Sequence, residues 1–362
     1  MKKLVFVVLA LAIALCAIPA LADSAKEFTY VVPRTVEVLE DSPFHIAQKL
    51  LAEQGITMNI MEAFGTTDQK MIATGQAQFC GPGPMYILSG IAEGLPTKAV
   101  CGYDTINIWG MAVLTDSPIQ NWSDMVGAQE KYGHKLTVAL GDPSWEMLVT
   151  PTLVAAGVDI ANDLEFVVAG ENRYVQVAEG KLDMLFTWPG ECWQLIGQNY
   201  DFRYIDGHEV LTTNSNSLCT STDLIESDPE LVANFVHAMQ QAIYAVHYNP
   251  EAAAALMADE YPNIDVTWKA AKFIQEGRNY QMFGAPGSET EAKILGAVGK
   301  SWDDAWELNV QAAIDCGMIS EPIELDRIFT NEFIDENMDY SHVEQFMDSI
   351  DIESVAARYA AE

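Results

Sequence analysis

The 362-residue sequence predicts an α/β protein of two lobes, each a mixed, mostly parallel sheet flanked by helices, followed by a helical C-terminal extension. Three observations predict it. Short runs rich in Val, Ile, Tyr and Thr alternate with helix-length segments that open on Pro or a hydroxyl residue and close on Gly. That alternation runs through one stretch and then starts again after residue 116. The turns after the expected strands are dense in Gly and Pro, as in "CGPGP" at 80–84 and "GDPSW" at 141–145.

Residues 1–22 stand apart. Lys2 and Lys3 precede an apolar run from Leu4 to Ile18, and Ala20-Leu21-Ala22 forms a small-residue cleavage site, the pattern of a secretory signal peptide. The run is short for a bilayer span, and Leu15 before Cys16 does not fit a lipid-anchored cysteine. A soluble, exported (periplasmic or extracytoplasmic) chain is expected.

The first lobe is expected over 23–115. "FTYVVPR" reads as a strand and "EDSPFHIAQKLLAEQG" as a helix, with Ser42 placed to cap, Pro43 at the first position and Gly55 at the end. "TMNIMEAFG" is the next strand. "TTDQKMIATGQ" is a short helix capped by Thr66 or Thr67 and closed by Gly75. "AQFCG" (strand), "PMYILSGIAEG" (helix) and "TKAVCGYD" (strand) complete the unit. In an open parallel sheet, ligands sit beyond the carboxyl ends of the strands, where free amides and helix N-termini converge. The loops 33–42, 65–67 and 80–84 would share that edge. Gly81 and Gly83 would let a ligand approach the main chain, with Pro82 and Pro84 stiffening the loop; an ordinary strand-to-helix turn explains the same residues.

The second lobe is expected over 116–210: strand "KLTVAL", loop "GDPSW", helix "EMLVTPTLVAAG", strand "LEFVVAG", helix "RYVQVAEG", strand "LDMLFTW" and loop "PGE". Asp142, Ser144 and Trp145 would bring a carboxylate, a hydroxyl and a ring to the same cleft from the opposite side. Residues 211–362 return to the first lobe through "EVLTTNSNSLCTSTDLIESDP" and continue as helices. In the first of these, Leu231, Phe235, Met239, Ile243 and Val246 form a core-facing stripe. Hinges are expected near 112–118 and 210–222.

Charge narrows the partners. With 52 acidic against 19 basic residues the formal net charge is −33, which repels nucleic acid and anionic lipid. After the leader, five cysteines remain: Cys80, Cys101, Cys192, Cys219 and Cys316. They show no zinc spacing. Sequence proximity favours pairs Cys80–Cys101 and Cys192–Cys219, and an all-reduced, buried set is the alternative. The six histidines are scattered, and no HExxH, GxSxG, P-loop or GxGxxG occurs. No enzyme, catalytic residue, metal or cofactor is expected.

The remaining candidates are ligand-binding ones: Arg34, Thr66, Thr67, Gly81, Pro82, Asp142, Ser144, Trp145 and Trp188. Arg34 would fork onto a carboxylate or sulfonate. Trp145 and Trp188 would stack on a flat ligand or face a cation, and Glu40, Asp41, Asp142 and Glu191 would supply counter-charge to that cation. These residues leave the sign of the ligand's charge open.

Several segments also occur in a familiar order. "MIATGQAQFC" followed by "IAEGLPTKAV", then "SPIQNWSDMVGAQ", "LVAAGVDIANDLEFVVAG", "EGKLDMLFTWPG" and "CGMISEPIELDRIFTNEFIDE" resemble the segments of exported ABC-transporter solute-binding proteins of the sulfonate, nitrate, taurine and pyrimidine-precursor family. Gln78 and Gln129 depart from the acid and the lysine usual there, and residues 129–134 lengthen a loop. The resemblance implies a monomeric Venus-flytrap receptor that closes on a small organic ligand and presents it to an ABC permease and ATPase complex. A receptor of a TRAP-type transporter, of the immunogenic-protein class, shares this layout and is the alternative.

Overall fold

A computed structural model describes residues 26–32, 39–63, 67–264 and 266–359. The leader, Arg34 and Thr66 lie outside the described residues.

Among the described residues, ten strands form two five-stranded sheets. In chain order they are β1 (Lys26–Val32), β2 (Ile56–Glu62), β3 (Phe79–Cys80), β4 (Thr97–Gly102), β5 (Gly110–Leu114), β6 (Leu136–Leu140), β7 (Leu164–Val168), β8 (Met184–Thr187), β9 (Phe202–Ile205) and β10 (Ser217–Ser221). The first sheet has the order β2-β1-β3-β10-β4, with β1 parallel to β2 and β3 and β10 antiparallel to both its neighbours. The second has the order β7-β6-β8-β5-β9, with β6 parallel to β7 and β8 and β5 antiparallel to β8 and β9. Each lobe is thus a mixed sheet between helices.

Residues on both faces of β1 are buried, as a doubly covered sheet requires. One face packs Phe28, Phe79 and Phe235 into a cluster with ring centroids 4.8–5.2 Å apart. The predicted stripe from Leu231 to Val246 is buried in the same core. The other face is covered through Cys80, Ile87, Trp306 and Val310.

Four expectations are corrected. Residues 110–114, assigned to the first lobe, form β5 inside the second sheet. Its buried Met111, Ala112 and Val113 pair with β8 and β9, so the chain crosses earlier, over 103–109. "PGE" is no loop but opens a helix, Pro189–Gly197, and β9 follows it. Among the described residues, the five cysteines do not pair. β10 lies between the strands of Cys80 and Cys101, while Cys192 and Cys219 belong to opposite lobes. Ser42 also lies inside its helix, behind Asp41, and donates to Gln275 at 2.6 Å.

The helix Trp268–Phe283 joins the two lobes. Ala270, Ile274 and Phe283 belong to the first-lobe core, yet the helix lies against Pro189–Gly197 of the second lobe. Glycines make this approach possible. A Cβ on Gly277 would stand 2.7 Å from the Pro189 carbonyl oxygen, and one on Gly197 would stand 2.6 Å from the Ala270 Cα. The C-terminal end of the helix also braces both crossings. Thr105 N donates to Gln281 O at 3.1 Å, Arg278 pairs with Asp104 at 2.6 Å, and the Tyr280 hydroxyl donates to Asp206.

Candidate functional site

The carboxyl ends of β3 and β8, the first crossing and the bridging helix converge on one cleft between the lobes. Gly83, Tyr86, Asn216, Arg278 and Gln281 line it from one side, and Trp145, Leu148, Phe186 and Trp188 from the other. Its free volume is about 40 Å³. Ligand pockets measure roughly 300–1,000 Å³, so admitting a molecule requires the lobes or the rings to part.

Gly83 belongs in the loop for its lack of a side chain, not for a special backbone. Its φ of −71° and ψ of 160° suit any residue, but a Cβ there would lie 2.9 Å from Leu148 Cδ2, 3.3 Å from Asn216 Oδ1 and 3.4 Å from Trp109 Cζ2. Gly81 serves packing within the first lobe, because its Cβ position is taken by the hydroxyls of Tyr30 and Tyr103. Pro82 is buried beside it, and its carbonyl accepts from Ser217 N at 3.3 Å. Pro84 opens the following helix, Pro84–Ala92.

Across the cleft, Trp145 and Trp188 meet edge to face with centroids 5.6 Å apart. Gly141 leaves room for Trp145, since a Cβ there would fall 2.5 Å from that ring. The Arg173 guanidinium lies 4.9 Å over the Trp145 ring and donates to Glu191. Burial pushes the Glu191 carboxyl up, while Arg173 and a 2.6 Å bond from the Thr187 hydroxyl pull it down. Glu191 therefore supports Trp145 from behind. Asp142 caps the short turn 143–145 by accepting from Ser144 N at 2.8 Å and from the Ser144 hydroxyl. Thr67 starts the helix Thr67–Ala73 and does not line the cleft.

Two donor side chains close the cleft directly. Trp188 Nε1 donates to both Glu40 oxygens, at 3.0 and 2.9 Å, and the Tyr86 hydroxyl donates to Ser144 O at 2.8 Å. Glu40 is 3% exposed, so its bond is made out of reach of bulk water.

Sequence reasoning did not single out Arg278, Gln281, Trp109 or Asn216 for the cleft. Arg278 and Gln281 stand three apart on the bridging helix and share a face; that spacing was the available signal. Arg278 Nη1 donates to Asp104 Oδ1 at 2.6 Å, and its guanidinium lies 5.4 Å over the Tyr103 ring. Among the described residues, Arg278 Nε and Nη2, Trp109 Nε1 and Gln281 Oε1 are buried with no hydrogen-bond partner. His45 bonds the Tyr261 hydroxyl through Nε2 at 3.1 Å, and burial lowers its pKa to about 4. No cluster of three potential metal ligands occurs among the described residues.

Similarity to known proteins agrees with this architecture. The riboflavin-binding protein RibY of Chloroflexus aurantiacus is 23% identical over 248 residues, 67% of this chain and 66% of that protein. The periplasmic aliphatic sulphonate-binding protein SsuA of Escherichia coli superimposes with a TM-score of 0.58 at 12% identity, covering 84% of this chain and 92% of that one. The desulfurization enzyme DSZB has the same fold, with a TM-score of 0.53 at 19% identity over 85% of this chain and 97% of its own. The two sheets and the cleft between them are those of the periplasmic binding protein fold. The family model described as NMT1/THI5 like matches residues 45–253, more than half of the 362 residues, and the chain belongs to that family.

Proposed function

We propose that this chain is an exported receptor that encloses one small organic molecule between its lobes and presents it to an ABC import permease. The observation that carries the reading is the cleft itself. Rings and polar groups from both lobes, and from both sides of a crossing, converge on a space that neither lobe encloses alone. A ligand touching both lobes favours the closed arrangement by its differential affinity for it, and a closed outline is what a permease would recognise. The indole corner of Trp145 and Trp188 fits a flat ring. The name of the riboflavin-binding relative makes a flavin an apt first probe, and that of the sulphonate-binding structure an aliphatic sulphonate the second.

The receptor reading is favoured over a cysteine-based enzyme by the state of the buried thiols. Burial pushes Cys80, Cys101, Cys192 and Cys219 up, so these sulfurs are protonated at neutral pH and poor nucleophiles. A thermal-shift screen against flavins, pyrimidines, sulphonates, carboxylates and polyamines tests the proposal, because a ligand bound only by the folded state raises the melting point. One class should raise it in a saturable, one-to-one manner without turnover. Conversion of the bound compound to product would overturn the receptor reading.

A further inference from the structure

The guanidinium of Arg278 carries a piece of specificity. Only Nη1 is used by Asp104. Nε–H and Nη2–H lie parallel on one edge of the guanidinium plane, and neither has a partner among the described residues although the side chain is 1% exposed. A buried donor left unpaired is costly, and two adjacent ones on a residue lining the cleft form a ready fork. Such a fork matches two neighbouring in-plane acceptors: the oxygens of a carboxylate, or a ring nitrogen beside a carbonyl oxygen. One turn further on, the unpartnered Gln281 Oε1 offers an acceptor, and Trp109 Nε1 adds one more donor.

We propose that Arg278 is the specificity-determining residue of the cleft and selects a flat ring that presents two adjacent acceptor atoms on one edge. Asp104 acts as a positioning residue, holding the guanidinium by Nη1 so that the fork stays turned to the ligand. Gln281 takes a hydrogen bond from a donor beside the acceptor pair. The inference rests on the receptor reading above.

The test is calorimetry on the full chain with three rings. Cytosine has a neutral ring nitrogen beside a carbonyl, nicotinate has a charged carboxylate, and aniline has no acceptor pair. Arg278→Lys keeps the charge opposite Asp104 and removes the fork. The wild type is expected to bind cytosine or nicotinate at least tenfold more tightly than aniline, with the preferred one reporting whether the acceptor pair is neutral or charged. Arg278→Lys should erase that preference. A wild type that treats all three alike, or a variant that keeps the preference, overturns the fork while any saturable ligand from the wider screen sustains the receptor reading. Should Arg278→Lys not fold, the wild-type Arg278 Nε–H resonance gives the answer. It should shift with cytosine or nicotinate and stay still with aniline, and an unmoved resonance at saturation overturns the proposal.

Discussion

Replacing Gly83 with alanine adds one methyl group at the point where the lobes meet. The backbone tolerates it, since φ is −71° and ψ is 160°, and in the unfolded chain alanine gives up about 0.4–1 kcal/mol less entropy on folding than glycine. The difficulty arises across the cleft. The new Cβ would stand 2.9 Å from Leu148 Cδ2, about 1 Å inside the best carbon–carbon separation, and Leu148 is itself packed in the second-lobe core. Overpacking of this kind costs about 1–3 kcal/mol. Because Leu148 lies on the opposite lobe, the cost falls on the closed arrangement and not on the folding of either lobe. At about 1.4 kcal/mol per tenfold, Gly83→Ala should weaken ligand binding roughly 5- to 150-fold in calorimetry, with the melting point of the unliganded protein within a few degrees of wild type. Undiminished affinity would refute the idea that Gly83 is small so that the cleft can shut.

Three further outcomes follow from the same contacts. Trp188→Phe keeps a ring but removes the indole N–H that reaches Glu40; losing a buried hydrogen bond to a charged group costs about 1.5–3 kcal/mol, so affinity should fall at least tenfold, and unchanged affinity would mean the bond does not hold the lobes together. Gly277→Ala would drive a methyl to 2.7 Å from a backbone oxygen, which no rotamer can relieve; the melting point should drop by well over 5 °C, and a normal one would show that the bridging helix does not seat as described. Asp68 is buried, and desolvation raises its pKa to about 7 from 3.8. Between those values the unfolded chain has lost the proton that the folded chain keeps, so stability falls as pH rises from about 4 to 7, by on the order of 4 kcal/mol. Asp68→Asn should therefore raise the melting point at pH 8 and leave it unchanged at pH 4, and equal shifts at both would contradict the burial argument.

The alternation of strands and helices was readable because each element carries its own punctuation, such as Gly55 and Gly75, both at positive φ just after helices. The aromatic pair was also readable as candidates, Trp188 ending a strand and Trp145 opening a helix. The crossing point was not. "MAVLT" pairs with strands either side of it that lie about 70 to 95 residues later, and nothing local says which sheet takes it. For the same reason, the spacing of Arg278 and Gln281 marks a shared helix face but not what that face meets. Arg278 meets Asp104 across 174 residues, and only the packing of the bridging helix against both crossings brings the two together. Gly81 and Gly83 look alike in sequence. The structure separates them by what stands over each: tyrosine hydroxyls of the same lobe over one, a leucine of the other lobe over the next.

In the proposed receptor, ligand is held between lobes that move together. Met61 and Val168, 44% and 55% exposed, sit at the carboxyl ends of β2 and β7 on opposite lobes. Spin labels at Met61→Cys and Val168→Cys, in a Cys316→Ser background, would report the interlobe distance by pulsed electron resonance. Addition of a saturating ligand should shorten and narrow the distance distribution; a distribution that does not change while calorimetry shows one molecule bound would contradict capture between the lobes.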